Sequence, residues 1–238
     1  METEKATVLE NPRTCALIYA QPGMGKTTAV ALQKGKKLII DLDRSSVAIR
    51  SRDNIATVEG LQDQLKDIDI VSPKSIKEFV DILKELEDGA AKKYDIIAVD
   101  NITELEHRML GELGQTGKND GVPELQHYNK VQFKMNDFIT RFRDLPADII
   151  FTAWETKIEV ADETGAKYTL AYPMVMKKIV DRVCGLCNVV GRLECKTDAT
   201  GETKRRIRLS ADNCVYAKDQ LRGRKACRIE DLIGGDAQ

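Results

Sequence analysis

The segment Tyr19-Ala20-Gln21-Pro22-Gly23-Met24-Gly25-Lys26-Thr27-Thr28 constrains this chain more than any other. It follows an apolar run, Cys15-Ala16-Leu17-Ile18-Tyr19, and opens Thr27-Thr28-Ala29-Val30-Ala31-Leu32, which has helical character. Strand, glycine-rich turn and helix, in that order, are the context of a phosphate-binding loop. Gly23 and Gly25 reach backbone angles closed to other residues, so successive N–H groups can turn inward around an anion. Lys26 would then reach the β- and γ-phosphates, and the Thr27 hydroxyl would sit on Mg²⁺. The helix start adds partial positive charge behind them. Gln21, Pro22, Gly23, Met24, Gly25, Lys26, Thr27 and Thr28 are therefore the expected nucleotide-binding residues. Ala20 stands where the motif has its first glycine, and alanine fits that turn if φ stays negative.

Composition narrows what surrounds the loop. Hydrophobic residues make up 42% of 238, enough for a sizeable core, and one α/β domain is expected rather than two. Its core would span about 13–155, a hairpin-rich extension about 156–225, and a short tail 226–238. Lys and Arg number 37 against 38 Asp and Glu, which excludes a tail-driven nucleic-acid binder and confines such binding to a local surface. The start, Met1-Glu2-Thr3-Glu4-Lys5, is polar, and no apolar run approaches the ~20 residues of a spanning helix. A cytosolic protein with no membrane contact is expected, and its six cysteines read as reduced thiols. Cys184 and Cys187 have CxxC spacing, but Cys195, Cys214 and Cys227 are scattered, with no second close pair. The pair reads as buried small hydrophobes rather than a metal or redox site.

Hydrophobic patterning gives the order of elements. Residues 37–41 read as a buried strand, and 44–71 as an irregular region with β-like pieces at 55–58 and 68–71. Ser72 and Pro73 open a helix with an apolar stripe at Ile76, Phe79, Val80, Ile82, Leu83 and Leu86. A strand follows at 94–100, a helix at about 103–110, and a polar glycine-rich loop at 111–123. The clearest helix carries Tyr128, Val131, Met135, Phe138, Phe142 and Leu145 on one stripe. A third buried strand spans 147–153. Hairpins then take over: 157–160 with 167–170 around the 162–165 turn, and 188–194 with 204–209 around the 198–201 turn. A short helix at 174–182 lies between them. This is an α/β chain, a mainly parallel P-loop core extended by antiparallel hairpins.

A phosphate loop needs a metal-orienting carboxylate at the end of a neighbouring strand, and Asp100 fits. With Thr27 it would make the Mg²⁺ site. The base that activates water has two candidates. Asp43 closes, with Asp41, the strand after the first helix, where parallel sheets bind ligands; Glu104 lies four residues past Asp100. Strand-end geometry favours Asp43, and Glu104 stays open. After the third strand, Thr152 or Glu155 could sense the γ-phosphate, and Trp154 reads as a packing residue.

The order of these parts, with a late Ala217-Lys218-Asp219-Gln220-Leu221-Arg222, resembles the RecA-type ATPases. It is most similar to compact phage-encoded RecA-like proteins that act as single-strand annealing or recombination factors. The resemblance spans roughly residues 13–225. It implies ATP and Mg²⁺, an acidic base after the second strand, and work in a host cytoplasm. It also implies an oligomer with nucleotide at subunit interfaces. A Lys or Arg from a neighbouring subunit would approach the γ-phosphate, and Lys218 and Arg222, with Arg224 behind them, occupy that place. DNA contacts would come from about 111–123 and 155–170. Trp154-Glu155 departs from the Gln or His usual at the sensor position.

Single-stranded DNA is the expected partner, bound through phosphates with little sequence preference. Candidate donors are Lys118, Lys130, Lys134, Arg141, Lys204 and Arg206. Asp137 partly neutralises the helix face between Lys134 and Arg141. Strand alternation sends Lys204 and Arg206 to one face and Arg205 to the other. The near-neutral charge also suits a regulator or loader acting on a replication or single-strand-binding protein. A small-molecule kinase is disfavoured, because no lid-like arginine cluster is recognisable.

Overall fold

Side-chain alternation along the first strand, β1 (Cys15–Ala20), splits the interior into two layers. Cys15, Leu17 and Tyr19 face one layer, and Ala16, Ile18 and Ala20 the other. The computed structural model describes residues 12–161, 163–197 and 203–234. After β1 come α1 (Lys26–Ala31), β2 (Lys37–Asp41), α2 (Val47–Arg50), α3 (Arg52–Thr57), α4 (Leu61–Gln64) and β3 (Ile68–Val71). Then follow α5 (Ile76–Glu87), β4 (Ile96–Asp100), α6 (Ile102–Gln115), α7 (Leu125–Arg143), β5 (Asp148–Ala161) and β6 (Lys167–Pro173). The chain continues with α8 (Val180–Leu186), β7 (Val189–Thr197), β8 (Thr203–Arg208), β9 (Lys218–Asp219) and β10 (Ala226–Arg228).

The sheet order is β10-β8-β7-β1-β5-β4-β2-β3. The six strands from β7 to β3 run parallel, while β8, β10, β9 and β6 attach antiparallel. The expected α/β class, a mainly parallel core with antiparallel additions, is what the chain adopts. One layer packs Leu17, Ile40, Val99 and Phe151 against Phe79, Met135, Phe138 and Phe142. The other packs Ile18, Ile39, Ala98 and Ile150 against Val30, Leu61 and Leu232. Phe79 meets Phe138 edge-on at 5.2 Å between ring centroids, a favoured aromatic geometry.

Several local expectations are corrected. Residues 55–57 belong to α3, not a strand: the Ile55 and Val58 N–H groups donate to Ser51 and Asn54 carbonyls at 2.9 and 2.8 Å. A short apolar run suits either structure, and these bonds decide it. The cap of α5 is Ser75, whose hydroxyl accepts from Glu78 N at 3.2 Å, while Glu78 accepts from Lys74 N at 2.7 Å. With Ser75 as the cap, Ser72 and Pro73 lie outside the helix. Helix α6 runs on to Gln115, through glycines that looked like breakers. Gly114 is there for close approach, since a Cβ on it would lie 2.5 Å from the Gly121 carbonyl oxygen.

In α7 the stripe is shifted at its start. Glu124 N donates to His127 Nδ1 at 3.0 Å, which buries His127 and leaves Tyr128 exposed. The third buried strand and the first hairpin strand form one element, β5. The short helix falls at 180–186 rather than 174–182, because Met174 N is held by the Trp154 carbonyl at 2.7 Å. Asp162 and the 198–201 turn lie outside the described residues. Cys184 and Cys187 are buried, and burial pushes the Cys184 thiol up to about 12.

One buried acid has a consequence for stability. Glu106, on α6, accepts Met176 N at 2.8 Å, and burial raises its carboxyl from 4.5 to about 7. The folded chain therefore holds that proton more tightly than the unfolded chain. The resulting stabilisation is complete below about pH 4.5 and is lost as pH rises through 7. Between pH 5 and 8 the wild type should lose about 2 kcal/mol more than Glu106→Gln in urea unfolding. Parallel profiles for the two proteins would contradict this origin.

Candidate functional site

The carboxyl ends of β1, β2 and β4 meet at one edge of the sheet, where ligands bind in parallel α/β folds. The loop after β1 turns through Gly23 and Gly25, with φ of 80° and 99°. Both values lie in the region glycine enters without strain. The helix it opens, α1, has six residues, so its dipole is small. Lys26 folds back over the loop and donates from Nζ to the Ala20 and Gln21 carbonyls, at 3.0 and 3.1 Å. Burial lowers its pKa, against the opposing pull of Asp100 and Asp43. A cavity of about 400 Å³ opens beside it, within the usual range for small-molecule sites. Gly23, Gly25, Lys26, Thr27 and Thr28 line that cavity together with Asp43 and Asp100.

Asp100 anchors a hydroxyl cluster. Thr27 Oγ1 donates to Asp100 Oδ2 at 2.6 Å, Ser45 Oγ to the same oxygen at 2.9 Å, and Thr152 to Oδ1. Burial raises the Asp100 pKa, and the Thr152, Thr27 and Ser45 bonds pull it down. This all-oxygen donor set suits a hard cation such as Mg²⁺. Thr152, expected as a sensor, is buried and bonded to Asp100 instead of lining the cavity.

The three other acids separate. Asp43 lines the cavity, accepts Ser45 N at 2.9 Å, and is held by the Asn101 amide. Asn101 also caps α6 by accepting Glu104 N at 2.8 Å. Glu104 itself pairs with Arg108 at 3.0 Å and does not line the cavity. Asp41 is buried, accepts Ser46 N at 3.2 Å, and lines a neighbouring cavity with Arg44 and Arg108.

Glu155 is committed to Arg192, which donates to its two oxygens at 2.8 and 3.0 Å. Trp154, read as packing, forms part of the cavity wall and stands 6.3 Å from the His107 ring. The late basic segment lies elsewhere. Lys218 is on β9, which pairs with Val189 and Val190 beside Ala16 and Leu17, at the half of β1 away from the phosphate loop. Arg222 is close to Asp148 at the start of β5, at that same edge. Within one chain neither reaches the cavity. Arg224 is fully buried in an ion pair with Asp219 at 2.6 Å and also donates to the Asp231 carbonyl. Those bonds keep it from reaching a neighbouring subunit.

Among the DNA candidates, Lys118, Lys130 and Lys134 are exposed. Arg141 is spent on Glu87, with two bonds of 2.7 Å, and Arg206 on Glu194 at 2.9 Å. Both are thereby weakened as phosphate donors. Sequence reasoning missed Ser45, Asn101, Arg192 and Arg205. The Asn101-x-x-Glu104 spacing is a capping pattern that marked Asn101, and alternation marked Arg205. No local signal marked Ser45 or Arg192.

Among the described residues, no helix is long and apolar enough to cross a membrane. Residues 13–221 match the family described as AAA domain. The KaiC-like protein PH0186 from the hyperthermophilic archaeon Pyrococcus horikoshii OT3 is a similar solved structure. It shares 15% identity at a TM-score of 0.47, over 83% of this chain and 79% of that one. No curated protein matches the sequence. The chain belongs to the AAA domain family, and its phosphate loop within a mainly parallel α/β sheet has the arrangement of a nucleotide-binding P-loop ATPase.

Proposed function

We propose that this member of the AAA domain family binds and hydrolyses ATP and acts on single-stranded DNA, promoting annealing or strand pairing. The observation that supports it most is one cavity gathering Lys26, Thr27, Asp100 and Asp43. Lys26 would release its carbonyl partners for the phosphates. Thr27 would hold Mg²⁺, with Asp100 and Ser45 beside it, and the bound ion would offset phosphate charge. Asp43, fixed by Asn101 and Ser45, would take the proton from water attacking the γ-phosphorus as the bridging P–O bond breaks. Lys218 and Arg222 would enter only from a neighbouring subunit of an oligomer.

Lys118, Lys130 and Lys134, exposed beside and along α7, support a non-specific phosphate contact. Hydrolysis should rise when oligo-dT is added at low salt, and oligo-dT binding should weaken steeply as salt increases. If DNA changes neither turnover nor mobility, the DNA half fails and the ATPase half stands. A protein partner is the second reading, favoured by Leu125 and Phe133 on α7, exposed at 77% and 79%. It leaves turnover indifferent to DNA.

A further inference from the structure

We propose that Arg205 is a phosphate ligand of the bound nucleotide, supplied by the same chain from the β7–β8 hairpin. This deepens the nucleotide reading and rests on it. On β8, Arg205 pairs across to Cys195 and Arg206 to Glu194, so successive side chains leave on opposite faces. Arg206 turns to the Glu194 carboxylate, and Arg208 donates to Asp212. Arg205 turns the other way, over the phosphate loop. A Cβ built on Gly25 would lie 3.3 Å from Arg205 Nε. The guanidinium therefore sits against the glycine that precedes Lys26, and it lines the same 400 Å³ cavity as Lys26, Thr27 and Asp100.

Among the described residues, the Arg205 guanidinium has no hydrogen-bond or ion-pair partner. The two carboxylates in that cavity are already engaged, Asp100 by three hydroxyls and Asp43 by Asn101 and Ser45 N. A second cation next to Lys26 calls for a ligand with more than one negative charge. The planar fork of arginine matches adjacent phosphate oxygens. A polyphosphate satisfies both conditions.

The test compares the full chain with Arg205→Ala, Arg205→Gln and Arg205→Lys, measuring binding of ATP, ADP and adenosine at low and high salt. Arg205→Ala and Arg205→Gln should weaken ATP about tenfold, leave adenosine unchanged, and flatten the salt dependence of ATP binding. Arg205→Lys should keep the wild-type salt dependence and recover part of the affinity. Wild-type ATP affinity in both neutral variants overturns the assignment. So does an equal loss for ATP and adenosine, which would mean a packing or base contact. If the wild type binds no nucleotide, the nucleotide reading falls first. If it binds and the variants match it, only the role of Arg205 falls.

Discussion

Lys26→Ala will lose nucleotide turnover by a factor of about 100 to 1,000, as expected when a group aimed at developing phosphate charge is removed. The Lys26 ammonium is the one cation whose stem rises from the loop itself, and its partners are two backbone carbonyls. Those carbonyls are weak competitors for it against a triphosphate. The substitution should leave the fold intact. Burial already disfavours the charged form of Lys26, so deleting it removes a desolvation cost along with two hydrogen bonds. Thermal melting separates the two effects. Without nucleotide, variant and wild type should melt within a few degrees of each other. With saturating ATP only the wild type should shift upward, because a ligand stabilises only a state that binds it. Near-normal turnover, or an undiminished ATP shift, would remove the basis for the phosphate-loop assignment.

The second large effect concerns the base. Asp43→Asn should keep ATP affinity within a few-fold and lower kcat by about 100- to 1,000-fold. The amide preserves shape and can still accept from Ser45 N, but it cannot take a proton. Glu104→Gln should change kcat by less than about threefold, because Glu104 lies outside the cavity and is bonded to Arg108. The contrast between kcat and ATP affinity in one variant pair is what discriminates. A collapse in Glu104→Gln with normal Asp43→Asn would transfer the role to Glu104 and would require α6 to move. Equal loss in both would point to damage around Asn101, which touches both residues.

Much of the fold could be read from the sequence because its strands are short, apolar and bounded. The runs ending in Asp41 and Asp100 have one stable use, as strands buried on both faces. The phosphate loop was equally legible, since its glycines, lysine and threonine act through the backbone that follows one another in sequence. Asp43 and Glu104 looked alike in sequence because both follow a strand end. Tertiary geometry separates them through Asn101, which grips one and caps the helix of the other. Arg141 and Arg206 read as free charges because their acids, Glu87 and Glu194, come from other elements. Tyr128 and His127 exchanged places for a smaller reason, a single side-chain bond at the start of α7. Long-range pairing is what a linear pattern lacks.

Strand β5 is one unbroken piece from Asp148 to Ala161. Its Thr152 hydroxyl touches Asp100, and its Trp154 walls the cavity. The same strand then leaves the sheet to pair with β6 as a ribbon. From Trp154 to the ribbon tip is seven residues, roughly 23 Å at strand rise. The strand's pairing with β6 is unbroken from Glu155 to Ala161. A small rotation at the phosphate end would therefore be carried along the ribbon and enlarged at its far end.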